Sequence, residues 1–478
     1  MEKIRLLLLG FLIFSILTCT ENILTPVESG LPIQLYPYET IYDAATFEER
    51  RETLVNSLPN SAFALVSTND IYLRNGDIDF GFRPASNFFY LTGFDEPNAI
   101  AIIRKKVYGG FNQPGLNSGL SHSELILFVE ERSGVLAQWL GPVYGPEGAM
   151  EFFNADTAYG ISKFKSVISS ILDAQLYESI YANLEVNESL ADSFFNCGST
   201  IPPLLDVNEF VDKQRVIKSQ LEIDLIQKAT DVSVQGFQEA MNFIEPGIYE
   251  YEVEAIFDYV LRLNGCPRTA FPTIIASGPN INILHYTANN RKMLSGDLVM
   301  IDYGAEYGYY AADVTRTLPV NGKFSTEQAT IYNIVLETLN AVIDGASAGV
   351  SYYDLYYLNI DIILDRLLEK GIITGNKSEI ISSGRYRQYI PAGLGHPVGL
   401  DAHDPFPRET SGDKILKENM VMAFEPHIYL NEGDQTVKPA YWNVSARIED
   451  VVLITSAGTQ ILSSSLPAEI GEIEATMK

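Results

Sequence analysis

Apolar side chains recur along the second half of the chain at two periods. Behind Ser219, with Glu222 three residues on, Leu221, Leu225, Ala229, Val232, Gly236 and Ala240 fall at helical spacing, and the Ser–Glu pair is a capping-box pattern that starts a helix. That helix is expected to end at Glu245-Pro246-Gly247. Another is expected from about Glu250 to Leu263, stopped by Asn264-Gly265, and two more begin at Ser325 and Ser351, each with Gln or Asp three residues on. Between them "TIIAS", "DLVMIDYG", "YAADVTRTLPV", "MVMAFEPHIYL" and "ARIEDVVLITS" read as strands. Helices mixed with mainly hairpin-connected strands predict an α+β unit, a sheet covered by helices.

Upstream, from about Phe47 to Asn196, apolar runs such as "SAFALVST" and "ELILFVEE" alternate with helical stretches such as "TFEERRETLVNSL", the pattern of a smaller mixed α/β domain. Periodicity fades in "GSTIPPLLDVNEFVDKQRV" around Pro202-Pro203. A linker is therefore expected over 201–215, with one domain over 38–200 and a second over 216–470. Residues 20–37 are polar and proline-containing and read as a tether. Residues 1–19 differ again: Lys3 and Arg5 precede an apolar run from Leu6 to Leu17, too short to span a bilayer comfortably, and Thr18-Cys19 follows. The basic start and small-residue end mark an export signal rather than a buried helix. Ile16 to Cys19 resembles a bacterial lipoprotein cleavage box, which would acylate Cys19 and anchor an exported protein by lipid; ordinary cleavage to a periplasmic or secreted form is the alternative.

Composition narrows the classes. With 46% hydrophobic and 11% aromatic residues over 478 positions, the chain is long and apolar enough for two or three cores. Its 61 acidic against 33 basic residues, net −28, repel phosphate backbones, so no nucleic-acid partner is expected. Three cysteines, Cys19, Cys197 and Cys266, make neither a disulfide framework nor a thiolate metal cluster.

The chemistry lies in acids placed where apolar residues belong. Strand alternation in "GDLVMIDYG" puts Leu298, Met300 and Asp302 on one face, so a carboxylate continues a line of core side chains. Eleven residues on, Asp313 sits among small and apolar neighbours on a strand close enough to pair as a hairpin, and both acids can face one cavity. Glu425 closes the apolar run of "VMAFEP", Glu449 precedes another in "SARIEDVVLIT", and His396 lies in the glycine-punctuated "AGLGHPVGL". Four such acids repel one another unless cations lie between them, and divalent metal resolves the conflict. Singly, each acid is better read as a salt bridge or turn cap, with Arg316 and Arg447 as nearby partners; the set as a whole points to a metal centre.

At these residues the chain resembles the Xaa-Pro aminopeptidases (aminopeptidase P), pita-bread metallopeptidases related to prolidase and methionine aminopeptidase. "LHYTANN", "GDLVMIDYGAEYGYYAADVTRTLPVNGKFS", "GLGHPVGLDAHD", "FEP" and "RIEDVVLIT" match in family order and spacing, while "DFGFRPASNFFYLTGFDEP" and "WLGPVYGPEGA" look like the family's N-terminal domain. The resemblance implies a C-terminal pita-bread catalytic domain preceded by the smaller mixed α/β domain. It also implies five metal ligands, Asp302, Asp313, His396, Glu425 and Glu449. Asp313 and Glu449 would bridge two divalent ions, Asp302 completing one site and His396 with Glu425 the other. Such an oxygen-rich set suits Mn²⁺, with Co²⁺ or Zn²⁺ also able to bind. Glu425 would handle the proton of an activated water. His285 of "LHY" and His403 of "LDAHD" would orient substrate and stabilise charge on the carbonyl oxygen. His122 matches nothing and is expected at the surface.

The implied activity is an exported aminopeptidase that acts on peptides with N-terminal Xaa-Pro. Prolidase activity on dipeptides is the alternative enzyme reading, and a non-catalytic pita-bread binding protein the alternative class. The family often forms homo-oligomers, which is carried over only by analogy. Three positions depart from the family: Ala392 stands where its His-Gly-Leu-Gly-His motif begins, His427 follows Glu425-Pro426 where glycine is usual, and Lys414 replaces a frequent arginine. Surface drift of both loops is the ordinary reading of the Ala392 and His427 departures; the alternative is that His427 fills the space beside Ala392 and takes over part of the lost hydrogen bonding.

Overall fold

The computed structural model describes residues 41–106, 122–131, 141, 143–183 and 187–477. The expected leader and tether, and part of "WLGPVYGPEGA", lie outside the described residues. The first half carries β1 (Ala62–Ser67), β2 (Leu73–Asn75), β3 (Ile78–Asp79), β4 (Ile100–Lys105), β5 (Ser123–Val129), β6 (Thr157–Gly160), β7 (Ser179–Asn183) and β8 (Leu204–Asp206). The β2–β3 pair is a separate hairpin, and the others form one sheet in the order β6-β5-β4-β1-β7-β8. Strand β1 is buried throughout because both faces are covered: Phe63 and Leu65 join one apolar cluster, Ala64 and Val66 the other. A strand covered on both faces reads as a continuous apolar run rather than an alternating one.

The segment read as a linker is structured. Strand β8 pairs in parallel with β7, and a helix follows over Asn208–Arg215. Prolines cannot donate to a ladder but can accept, and Pro203 takes a 3.0 Å hydrogen bond from Ile180 N–H at the sheet edge, where the missing donors go unused.

In the second half, Ser219 caps the helix Gln220–Phe243 through the expected box with Glu222, and Leu225, Ala229, Val232, Gly236 and Ala240 are buried. The helix Glu250–Leu263 keeps its expected bounds, and Thr326–Gly345 and Tyr352–Glu369 start behind Ser325 and Ser351 as the caps predict. The remaining strands are β9 (Arg268–Thr269), β10 (Ile274–Ser277), β11 (Leu298–Tyr303), β12 (Ala305–Tyr307), β13 (Tyr310–Ala311), β14 (Val314–Pro319), β15 (Gly395–Pro397), β16 (Val421–Phe424), β17 (His427–Ile428), β18 (Ala446–Arg447), β19 (Asp450–Thr455) and β20 (Gly458–Ile461). They form the sheets β10-β11-β14, β13-β12-β9, β15-β16-β19-β20 and β17-β18.

Three of the expected strands are each two. "YAADVTRTLPV" breaks between β13 and β14 around Asp313, "MVMAFEPHIYL" between β16 and β17 at Glu425-Pro426, and "ARIEDVVLITS" between β18 and β19 at Ile448-Glu449. Each break falls at an acid of the candidate set. An uninterrupted strand would have bonded these residues into one flat ladder; the interruptions let neighbouring short sheets turn their ends toward a common space.

Candidate metal centre

Asp302 is the penultimate residue of β11, which pairs antiparallel with β14 so that Asp302 stands opposite Thr315. Thr315 in turn forms an isolated bridge with Glu449, and its hydroxyl donates to Glu449 Oε2 at 2.7 Å. His396 lies on β15 opposite Ala423 of β16, and Glu425 follows that strand directly. Four short elements thus converge. One ligand oxygen each from Asp302, Asp313 and Glu449 lie within 4.8 Å of one another, and donor atoms of His396, Glu425 and Glu449 meet the same limit, so Glu449 belongs to both groups. His396 Nε2 is 3.5 Å from Asp313 Oδ2. The five predicted ligands are therefore brought together.

Close backbone approach makes this convergence depend on glycine. A Cβ on Gly304, between β11 and β12, would lie 1.8 Å from the carbonyl oxygen of Ala312, next to Asp313. One on Gly395 would lie 1.9 Å from the carbonyl oxygen of Ala423.

The electrostatics are those of a site that wants cations. Burial, then Glu449, Asp302 and Glu425, hold the Asp313 carboxyl well above its usual range; burial, then Glu425 and Asp302, do the same to Glu449. Burial and Asp302 push Glu425 up to about 7 against the pull of Arg447. The salt-bridge alternative is realised only in part. Arg447 pairs with Asp302 and lies 4.0 Å from Glu425, whereas Arg316 turns away to Asp450 at 2.8 Å. One guanidinium cannot neutralise four acids. Asp302 Oδ1 is moreover buried with no hydrogen-bond partner among the described residues, as expected of an oxygen that faces a metal ion. His396 fits as well: Nδ1–H donates to the Pro397 carbonyl at 3.0 Å, which leaves Nε2 unprotonated toward Asp313, and burial lowers the ring's pKa to about 4. The donors present suit divalent metal.

The other predicted residues stand around this cluster. The exposed His403 ring lies 4.0 Å, centroid to centroid, from His396, and it forms a further close group with Asp313 and His396. His285 is exposed on its loop and belongs to no such group, but it is near enough that its charge, after burial, helps to lower the His403 pKa. His122 is at the surface, 2.9 Å from Glu52. Cys197 and Cys266 are free and buried, and burial pushes the Cys266 thiol up to about 11.

His427 does meet the Ala392 loop. Ala392 N–H donates to its Nε2 at 3.2 Å, and its Nδ1–H donates to the Glu425 carbonyl at 2.8 Å. Both ring nitrogens are thus committed to backbone in a fully buried neutral ring, whose pKa burial lowers to about 4. His427 is buried rather than drifting at the surface, and the hydrogen bonding it takes over is a brace between two loops. Two contributions had no signal in the apolar pattern: Thr315, which looks like an ordinary strand threonine, and Asp404, hidden beside His403.

The family model of metallopeptidase family M24 matches residues 224–456, and that of the aminopeptidase P N-terminal domain matches residues 47–181. The Xaa-Pro aminopeptidase of Haemophilus influenzae is 36% identical over 434 residues, covering 90% of this chain and 96% of that protein. Among solved structures, Pseudomonas aeruginosa aminopeptidase PepP and Escherichia coli aminopeptidase P with the inhibitor Pro-Leu each superpose with a TM-score of 0.83 at 30% identity, covering 91% of this chain and 98% of theirs.

Carboxyls whose pKa is raised by folding bind more protons in the native than in the unfolded chain. Their stabilisation is present below the unfolded value and lost as pH rises through the folded one. Chelator-treated protein should thus lose stability as pH climbs from the ordinary Glu value of 4.5 through about 7, by on the order of 3 kcal/mol for Glu425 alone. Added divalent ion should raise the melting temperature more at pH 8 than at pH 5.5, which thermal melts check. His427→Gly leaves the part-buried Glu425 carbonyl and Ala392 amide without this partner and should destabilise by about 1–3 kcal/mol. Adding Ala392→His, which can refill the space, should recover part of that loss in denaturant titrations.

Proposed function

The chain belongs to the aminopeptidase P family of metallopeptidases, and from that premise we propose that it releases the N-terminal residue from peptides with proline in second position. It is a metallo-exopeptidase whose M24 unit has the pita-bread fold and follows a mixed α/β N-terminal domain. The observation that carries the proposal is the set of Asp302, Asp313, His396, Glu425 and Glu449, the first two and Glu449 buried and the other two partly so, around one space. In this reading Asp313 and Glu449 would be shared by two divalent ions, Asp302 would complete one site, and His396 with Glu425 would complete the other. The hard oxygen donors favour Mn²⁺ over softer ions. Divalent cations held there supply Lewis acidity for amide hydrolysis.

The protein's own groups do the rest. Glu425 can take a proton at a carboxylate oxygen and return it to the leaving amine. His285 and His403 stand exposed at the rim, where an imidazole N–H can reach a substrate carbonyl and offset charge that develops on its oxygen. A proline in second position offers no amide N–H and holds φ fixed, so recognition must work through shape and carbonyl contacts rather than an amide hydrogen bond.

A dipeptidase reading draws on Lys414. Its Nζ lies 4.8 Å above the Phe406 ring and 5.8 Å from the Tyr352 ring, and the Tyr352 hydroxyl donates to the Gly395 carbonyl beside His396. An ammonium held there can meet the terminal carboxylate of a dipeptide.

Turnover by metal-loaded protein separates the two readings: an Xaa-Pro-Xaa tripeptide should be cleaved at least as well as an Xaa-Pro dipeptide, and cleavage of the dipeptide alone would favour prolidase activity. Asp302→Ala, Asp313→Ala and Glu449→Ala should each reduce activity to background and lower metal content measured by elemental analysis. Glu425→Gln should lower kcat by ~10²–10⁴-fold. Full activity in metal-free protein would overturn the assignment.

Export belongs to the same proposal and rests on residues 1–19. Mass spectrometry of the native N-terminus should find residues 1–18 removed and Cys19 lipid-modified. Cleavage without lipid would favour the secreted or periplasmic form, and an intact Met1 on cytosolic protein would overturn export.

A further inference from the structure

We propose that Asp404, clamped between Arg215 and Lys218 at the seam between the two halves of the chain, is a positioning residue that sets where His403 stands for substrate. This inference rests on the reading of His403 as a group that orients substrate.

His403 is the exposed tip of a short turn, and its own ring contacts leave its placement to the backbone on either side. On the far side that backbone is Asp404, only 5% exposed. The Asp404 N–H donates to the Pro397 carbonyl at 2.9 Å, which ties the turn back to the residue after His396. Its Oδ1 accepts the Asp401 N–H at 3.2 Å, closing the turn around His403. The Gly399 backbone lies against the same carboxylate so closely that a Cβ there would be 2.5 Å from Oδ2. Gly399 O in turn accepts from Ala311 N–H at 2.8 Å, two residues before Asp313. Moving the Asp404 carboxylate therefore moves the His403 turn, which Asp401 and Gly399 tie to it.

What holds that carboxylate comes from outside the catalytic sheets. Arg215 Nη2, at the end of the helix Asn208–Arg215, lies 2.5 Å from Asp404 Oδ1, and Lys218 Nζ lies 2.8 Å from Oδ2. All three side chains are buried, so the cations act in a low dielectric and keep Asp404 ionised. Arg215 is itself aimed by the N-terminal domain, since Nη1 donates to Asn87 Oδ1 at 2.7 Å. The same domain grips the other side of the turn: Ser86 donates to Asp401 Oδ1 at 2.5 Å, and Arg83 donates to the Leu400 carbonyl. The N-terminal half thus reaches the substrate site through the buried Asp404 carboxylate and through the turn beside it.

Asp404→Asn keeps the shape of the side chain and removes the charge that Arg215 and Lys218 hold. With metal-loaded, full-length protein and an Xaa-Pro-Xaa tripeptide, kcat should fall about 10–100-fold, the loss that a small misplacement of a reacting partner causes, with KM changed less than about twofold. Metal content should match wild type. In a His403→Ala background the same substitution should cost less than about twofold more, because the group it positions is gone. Arg215→Lys, which keeps a cation, should show a smaller loss of the same pattern and serves if Asp404→Asn does not fold. Wild-type kcat in these variants, or a loss that multiplies undiminished with that of His403→Ala, overturns the positioning role alone. Wild-type kcat in His403→Ala overturns the substrate role of His403 and, with it, this inference.

Discussion

The mutual repulsion of carboxylates withdrawn from water is the constraint that organises this molecule. Asp302, Asp313 and Glu449 are buried and share one small volume with Glu425. A buried carboxylate without a partner costs several kcal/mol, and a group of four compounds that cost through their shared field. Arg447 relieves part of it, and protons can relieve more, as the raised pKa values of Asp313, Glu425 and Glu449 register. Divalent cations held there would replace those protons at neutral pH and would couple metal binding to stability of the native state.

Backbone design follows from that requirement. Acids placed inside continuous ladders would alternate from face to face and point apart, whereas breaks at Asp313, Glu425-Pro426 and Ile448-Glu449 let short sheets present their ends to one cavity. Such ends must come very close. Gly304 and Gly395 stand where a side chain would strike a neighbouring carbonyl, and the Thr315 hydroxyl holds Glu449 in place across the gap between sheets. His427 serves a similar purpose at the opposite wall, joining the Ala392 loop to the Glu425 carbonyl.

Around this centre the two halves of the chain are joined by charge rather than by apolar packing alone. Glu306, buried on β12, is bonded by Arg83 from the first half and by Arg268 from the second, each at 2.7 Å. The Arg50 guanidinium reaches the Tyr310 hydroxyl, which itself donates to Glu222. Paired charges of this kind are directional, so they specify how the halves meet more sharply than a slippery apolar interface would. The catalytic unit is built from one half, but its rim is shaped by both.

Much of this was legible in the sequence because it is encoded locally. The caps at Ser219 and Ser325 act on amides three residues away, and the apolar face of the helix Gln220–Phe243 repeats with the helical period. Asp302 announced itself as a carboxylate in register with Leu298 and Met300, and the family likeness then tied Asp313, His396, Glu425 and Glu449 to it. Only the tertiary structure decided which arginine meets which acid. Arg447 and Arg316 looked equivalent, and they part company because β18 pairs with β17 beside the centre while Arg316 is drawn to Asp450 and to the carbonyls of Leu466 and Pro467. The strand breaks were hard to read for a related reason: of the three, only that at Glu425-Pro426 contains a strand-breaking proline, and the bends are imposed by partners in other sheets. The clamp on Asp404 joins residues 186 and 189 positions apart, a distance over which no periodicity carries information and only the folded chain can bring opposite charges together.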